Sequence, residues 1–135
     1  MNVARLATAF SIIGGLFIIY VGVSYLFLPE ATASGFGLPA WPAGDAAGFL
    51  NVKGVRDIGT GVVILALLAA KQRYALAITT LAMALIPFGD MLTILRWDGS
   101  TTIALSVHGL TAAFVALTGA LLLWERRTTQ VPVAA

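Results

Sequence analysis

Five ionisable side chains stand where acid and base chemistry would have to be placed in an otherwise apolar chain. Lys53, Arg56 and Asp57 fall within Asn51-Val-Lys-Gly-Val-Arg-Asp57, Asp90 closes Ile86-Pro-Phe-Gly-Asp90, and His108 is the single histidine. Two carboxyls in unlike surroundings can divide the work of base and acid, an imidazole can relay or orient the proton, and a phenol such as Tyr20 can donate to an oxygen. That chemistry makes Asp57, Asp90, His108 and Arg56 the catalytic candidates, with Lys53, Tyr20, Asn51 and Thr60 as ligand-binding ones. With no cysteine and one histidine, the chain lacks the ligands for a protein-only transition-metal site, a disulfide or thiol redox chemistry, so no metal or other cofactor is expected. It also carries no phosphate-binding glycine loop and no nucleophilic triad motif.

The elements that must position these groups are membrane helices. Of the 135 residues, 59% are hydrophobic and 10% charged, and the mean hydropathy is +0.95, too apolar for a soluble domain of this size. Leu6 to Leu28 is an uncharged run of 23 residues, enough for one span. A secretory leader cleaved near Ala31-Thr32-Ala33 is the rival reading, but a leader core is only about 7–15 residues long, so the run is expected to stay as a helix. Glu30 to Asp45, rich in glycine and proline and carrying Trp41, reads as an ordered interfacial loop. The remaining helices are expected at about 46–70, 74–95 and 101–124, the third of them broken in character around Pro87. After Asp57 only Ile58 to Ala70 are uncharged, thirteen residues that cover roughly 20 Å of a ~30 Å hydrocarbon core. The second helix therefore carries its charges inside the bilayer. Charge at such depth is costly unless paired, and it usually faces a bundle interior or a wet cavity.

The expected fold is all-α, a single domain over residues 1–135 forming a four-transmembrane-helix antiparallel bundle. Arg5, Lys71, Arg73, Arg126 and Arg127 lie on the side of the termini, and the other side has Arg96 alone with Glu30, Asp45 and Asp98. The positive-inside rule then gives a multi-pass protein of the cell membrane with both termini cytoplasmic. Counted from that boundary at ~1.5 Å per residue, Asp57, Arg56, Lys53, Asp90, His108 and Tyr20 all fall at about 20–26 Å, in the outer half of the membrane. Lys53, Arg56, Asp57 and Thr60, at i, i+3, i+4 and i+7, make one polar stripe, and Gly54 and Gly61 beside it admit a neighbouring backbone. Pro87 leaves the carbonyl of Met83 without its helical partner and Gly89 loosens the turn before Asp90, a kink that a pocket would use. The bland alternative is an ion network, Lys53 with Asp57 and Arg56 with Asp90, that fixes helix register. Buried ion pairs stabilise poorly beside apolar packing, so four such charges in a small bundle point to a further role.

Taken together, Lys53-Gly-Val-Arg-Asp-Ile-Gly-Thr-Gly61, Ile86-Pro-Phe-Gly-Asp90 and His108-Gly109 resemble a family of small four-helix integral membrane proteins catalogued as a domain of unknown function, similar in size and layout to DoxX-like membrane proteins. The resemblance covers essentially the whole chain, implies the fold and topology above, and points to Lys53, Arg56, Asp57, Asp90 and His108. It implies no activity. Some DoxX relatives accompany quinone-linked oxidoreductases, but this chain has no redox residue to which that association could attach. The first expectation for function is therefore an intramembrane pocket that binds or converts a lipophilic small molecule by acid/base chemistry, such as an isomerisation, an epoxide opening or a cyclisation. The second is an accessory or homo-oligomeric subunit that docks on a membrane partner through the charged cluster. The third is a small proton-coupled transporter, which would need a dimer. The lipid bilayer is the expected surrounding, and a net charge of +2 spread over boundary residues provides no tract for nucleic acid.

Overall fold

The computed structural model describes the backbone of residues 2–129 and the side chains of residues 2–125. Helix α1, Val3–Phe27, opens on Asn2, whose side chain accepts from the amide of Arg5 at 3.0 Å. It ends where Pro29 cannot continue it, and Pro29 instead takes the first turn of a short helix α2, Pro29–Ser34, where its missing N–H costs nothing. This helix occupies part of the stretch expected as loop. A 3-10 turn, Gly44–Ala47, then leads into α3, Gly48–Ala69. After a turn with Lys71 at φ 57° come α4, Arg73–Met83, and α5, Leu85–Arg96, separated at Ala84. The break falls where the missing N–H of Pro87 leaves Met83 without a helical partner, so the discontinuity read from the sequence is present. Ser100 caps the one-turn helix α6, Thr101–Ile103, which runs into a π-helical segment, Ala104–Gly109, and then α7, Leu110–Thr129.

No strand occurs among the described residues, and the protein is all-α. Among the described residues, three helical stretches are long and apolar enough to cross a membrane: Val3–Phe27, Arg73–Arg96 and Thr101–Glu125. At 22 residues α3 has the length of a span, but Lys53, Arg56 and Asp57 set it apart from those three. Leu16, Phe27, Val55, Leu85, Leu110 and Trp124 are all more than half exposed, an apolar exterior that suits a lipid bilayer.

Helix α1 packs along α3 and, nearer the termini, against α7; α4 packs on α7, and α5 on the π segment. The first contact depends on glycines at heptad spacing on both helices. A Cβ placed on Gly22 would come to 2.6 Å from the carbonyl oxygen of Gly54, and one on Gly61 to 2.5 Å from that of Gly15. No side chain fits between such backbones, so α1 and α3 form an antiparallel pair in direct van der Waals contact. The end of the bundle near the termini is filled by Ala7, Ile64, Leu76, Ala77, Leu121 and Leu122. There Arg73 joins three helices, donating to the Thr8 hydroxyl at 3.0 Å, to the Ala4 carbonyl at 3.4 Å and to the Glu125 carboxylate.

Candidate functional site

Above that apolar floor the helices separate. The glycine contact holds α1 against α3, α4 gives way to α5 at Ala84, and a π turn precedes the last long helix. Between them lies a cavity of about 270 Å³. Its lower wall is apolar, with Phe10, Ile18, Ile64, Met83 and Phe114, and its upper wall carries Tyr25, Lys53, Asp57, Asp90 and His108. The hydroxyls of Ser11, Thr60, Thr111 and Thr118 also line it, but each donates to the carbonyl four residues back in its own helix. Thr80, lower on the wall, has a buried Oγ1 with no hydrogen-bond partner among the described residues. Thr32, Gly35 and Phe36 of α2 and the loop after it close the outer end. The cavity is not fully enclosed, and the wall residues Phe17, Ile86 and Val107 are each about half exposed.

Two polar pairs face this space. In the first, the Lys53 ammonium donates to Asp57 Oδ2 at 2.6 Å, an i, i+4 bridge in which the carboxylate is nearly buried. The same ammonium lies 4.7 Å from the centre of the Tyr25 ring and 5.7 Å from that of Phe36, within cation–π range of both. In the second, His108 sits in the π segment with its Nε2 3.0 Å from the Phe36 carbonyl and its Nδ1 3.7 Å from Asp90 Oδ2. A carbonyl only accepts, so Nε2 carries the hydrogen and donates it. Nδ1 and the Asp90 carboxylate would then present lone pairs to each other unless a proton resides on one of them. At 3.7 Å the two are not hydrogen-bonded, and both line the cavity as groups of the kind that take up or give a proton in an acid/base step. The His108 and Phe36 rings are 4.6 Å apart, so the loop that covers the site also orients the imidazole.

Of the residues singled out in the sequence, Lys53, Asp57, Thr60, Asp90 and His108 all line the cavity. Three do not. Arg56 points outward from α3 and is exposed, so the Arg56–Asp90 pair is not formed and His108 takes its place beside Asp90. At 100° per residue Arg56 lies on the edge of the polar stripe away from Asp57, and that edge is exposed. Tyr20 is 67% exposed on the outer face of α1. The phenol at the site is Tyr25, only 3% exposed, and its hydroxyl makes no hydrogen bond within the described residues. Asn51 is a structural group: its side-chain amide donates to the Tyr25 and Leu26 carbonyls at 3.0 and 3.2 Å, satisfying the end of α1. Depth counting along α1 pointed to Tyr20 because it took no account of direction. Gly15 and Gly22 mark the face that meets α3, and Tyr25, three residues beyond Gly22, follows that face inward. Phe36 had no signal in the sequence beyond its place in a glycine-rich loop.

Apolar helices of spanning length around a cavity with a charged upper end define a small helical membrane protein. Residues 15–122 match the model of a family described as a domain of unknown function (DUF4267), and the chain belongs to that family. The match carries the family and not the likeness to DoxX-like proteins. No curated protein and no solved structure matches the chain.

Proposed function

We propose that this protein is a membrane-embedded receptor or enzyme for a small lipophilic molecule, which it holds by its polar end against the Asp90–His108 and Lys53–Asp57 pairs. The observation that carries the reading is the polarity gradient of one cavity, charged at the top and apolar below, open in part and with a closed floor. The chemistry that needs nothing further is isomerisation. A base at Nδ1 or Asp90 takes a proton from one carbon of the ligand, and the pair returns it at another, so that atoms and charge balance without a co-reactant. Lys53 and Tyr25 supply hydrogen-bond donors for an oxygen that gains electron density as the proton leaves. An apolar floor favours this over transport, which needs access from both sides.

The reading includes four spans, α3 among them, with both termini cytoplasmic. It is supported by the ~33 Å length of α3, its direct packing on α1, and the clustering of Arg5, Lys71 and Arg73 at one end. The absence of cysteine allows a direct check of orientation. Ser34→Cys should react with an impermeant thiol reagent added to intact cells and Lys71→Cys should not; the opposite pattern reverses the orientation.

A second reading, assembly with a partner subunit, is favoured by one observation. Arg56 lies exposed at an intramembrane level among the exposed side chains of Val52 and Val55, and its guanidinium has no ion-pair or hydrogen-bond partner among the described residues. The two readings separate by native mass spectrometry from lipid nanodiscs. A site for a lipophile gives a one-to-one small-molecule adduct that Asp90→Asn and His108→Gln weaken more than tenfold while the protein still folds. A constant protein partner with no such adduct supports assembly instead.

A further inference from the structure

We infer that the inner end of the cavity is a second polar subsite, a ring of buried hydroxyls that takes a hydroxyl group about 15 Å from Asp90, so that the ligand is an elongated lipophile with a polar group at each end. The inference rests on the cavity being a lipophile site and adds a second anchoring point and the ligand class that reaches both.

The ring follows from helical register. Ala7, Leu76 and Leu122 belong to one buried cluster beneath the cavity. Ser11 lies four residues after Ala7 on α1, Thr80 four after Leu76 on α4, and Thr118 four before Leu122 on α7, which runs the opposite way. Residues four apart share a helix face one turn from each other, so the three hydroxyl residues stand at one level just above the floor. All three line the cavity, and none is more than 3% exposed.

Two of them are already engaged as donors. Ser11 and Thr118 each donate at 2.8 Å to a carbonyl four residues back in their own helix, Ala7 and Phe114, and keep oxygen lone pairs with which to accept. Thr80 makes no such bond: its Oγ1 is buried without a hydrogen-bond partner among the described residues. A buried hydroxyl left in that state is costly and uncommon, and a group held at the inner end of the cavity is the partner it lacks. Lys53, Asp57, Asp90 and His108 all stand on the upper wall, so nothing at this level matches an ion. A donor at Thr80 with acceptors at Ser11 and Thr118 fits a hydroxyl, which accepts and donates at once. Water offers the same chemistry, and the test below separates it from a ligand's own hydroxyl.

The span follows from the walls. Thr80 and Asp90 are ten positions apart along one wall and Thr118 and His108 ten apart along another, so both put ~15 Å of helix between the two ends. A cavity of about 270 Å³, at the ~30 Å³ that a heavy atom such as water's oxygen claims in a liquid, holds on the order of ten such atoms. Drawn out over that length, they make a single chain. A phospholipid is several times too large.

The test is native mass spectrometry of the full chain in nanodiscs, with 1,10-decanediol and 1-decanol each at the same mole fraction in the lipid. The wild type should take one 1,10-decanediol about fivefold more readily than 1-decanol, the order of one neutral hydrogen bond. It should also prefer that diol to 1,6-hexanediol, too short to reach both ends, and to 1,14-tetradecanediol, too long to fit between them. Thr80→Val, which exchanges the hydroxyl for a methyl of the same shape, should bring the diol down to the level of 1-decanol and leave 1-decanol within about twofold. If that variant does not fold, Thr118→Val carries the same expectation. Equal uptake of diol and mono-alcohol by the wild type, as when water fills the ring, would overturn the second subsite while leaving the lipophile site in place. So would an equal loss of both probes in Thr80→Val. Filling the cavity with Val115→Trp should remove both adducts; if neither probe gives an adduct that this variant removes, the inference and the reading beneath it fall together.

Discussion

Asp57 illustrates how one side chain serves fold and site together. Its carboxylate is nearly buried and bonded to Lys53, whose side chain is 31% exposed and lines the cavity. Removing one member of a buried pair strands the other, a change that costs about 3–5 kcal/mol in a fully buried setting. With Lys53 partly exposed we expect Asp57→Asn to cost about 2 kcal/mol, or roughly 5 °C in apparent Tm. The double variant Lys53→Met/Asp57→Leu should recover most of that loss, because an apolar pair of similar volume leaves no charge stranded. Thermal unfolding in detergent measures both, and a double variant no more stable than the single one would mean that the pair does not act as a unit. This pair was recognisable in the sequence, since i, i+4 spacing of opposite charges on a helix specifies the contact. Arg56 belongs to the same stripe by its i+3 spacing from Lys53 but sits on the stripe's exposed edge, and Asp90 has His108 as its neighbour across a bend that no spacing rule foresees.

At the scale of elements, the cavity exists because two helices are held unusually close and two others are kept from closing over it. Gly15 and Gly22 on α1 meet Gly61 and Gly54 on α3 backbone to backbone, so any side chain there must push the pair apart. Gly61→Ala should therefore lower stability by about 1–3 kcal/mol, the usual cost of overpacking. Gly59→Ala, on the same helix but with nothing within 4 Å of its added methyl, should be neutral. Equal losses from the two would remove the close contact from the account. The glycine faces, the break near Pro87 and the limits of the long helices within a few residues could all be read from the chain. Helix α2 and the π segment could not. The first is a single turn and a half set by Pro29, and the second is one extra residue in a turn, which leaves no mark on hydrophobic periodicity. Both border the site, which is why the sequence placed the charged groups at one level but did not show Phe36 covering them.

For the molecule as a whole, the arrangement is a bundle sealed at one end and left open between its helices at the other. The seal consists of the apolar cluster around Leu76 and Leu122 and the bonds of Arg73 to α1 and α7. The open part pairs charge with oily walls and faces the lipid at Phe17, Ile86 and Val107. On the proposed reading, such a shape would take up a molecule from the bilayer and hold its polar end beside Asp90 and His108. The direct measurement is native mass spectrometry of the protein in nanodiscs made from its own membrane, comparing the wild type with Val115→Trp. The account predicts a single adduct of much lower mass than a phospholipid on the wild type, missing from the variant at unchanged fold. An adduct of equal abundance on both, or none on either, would contradict it.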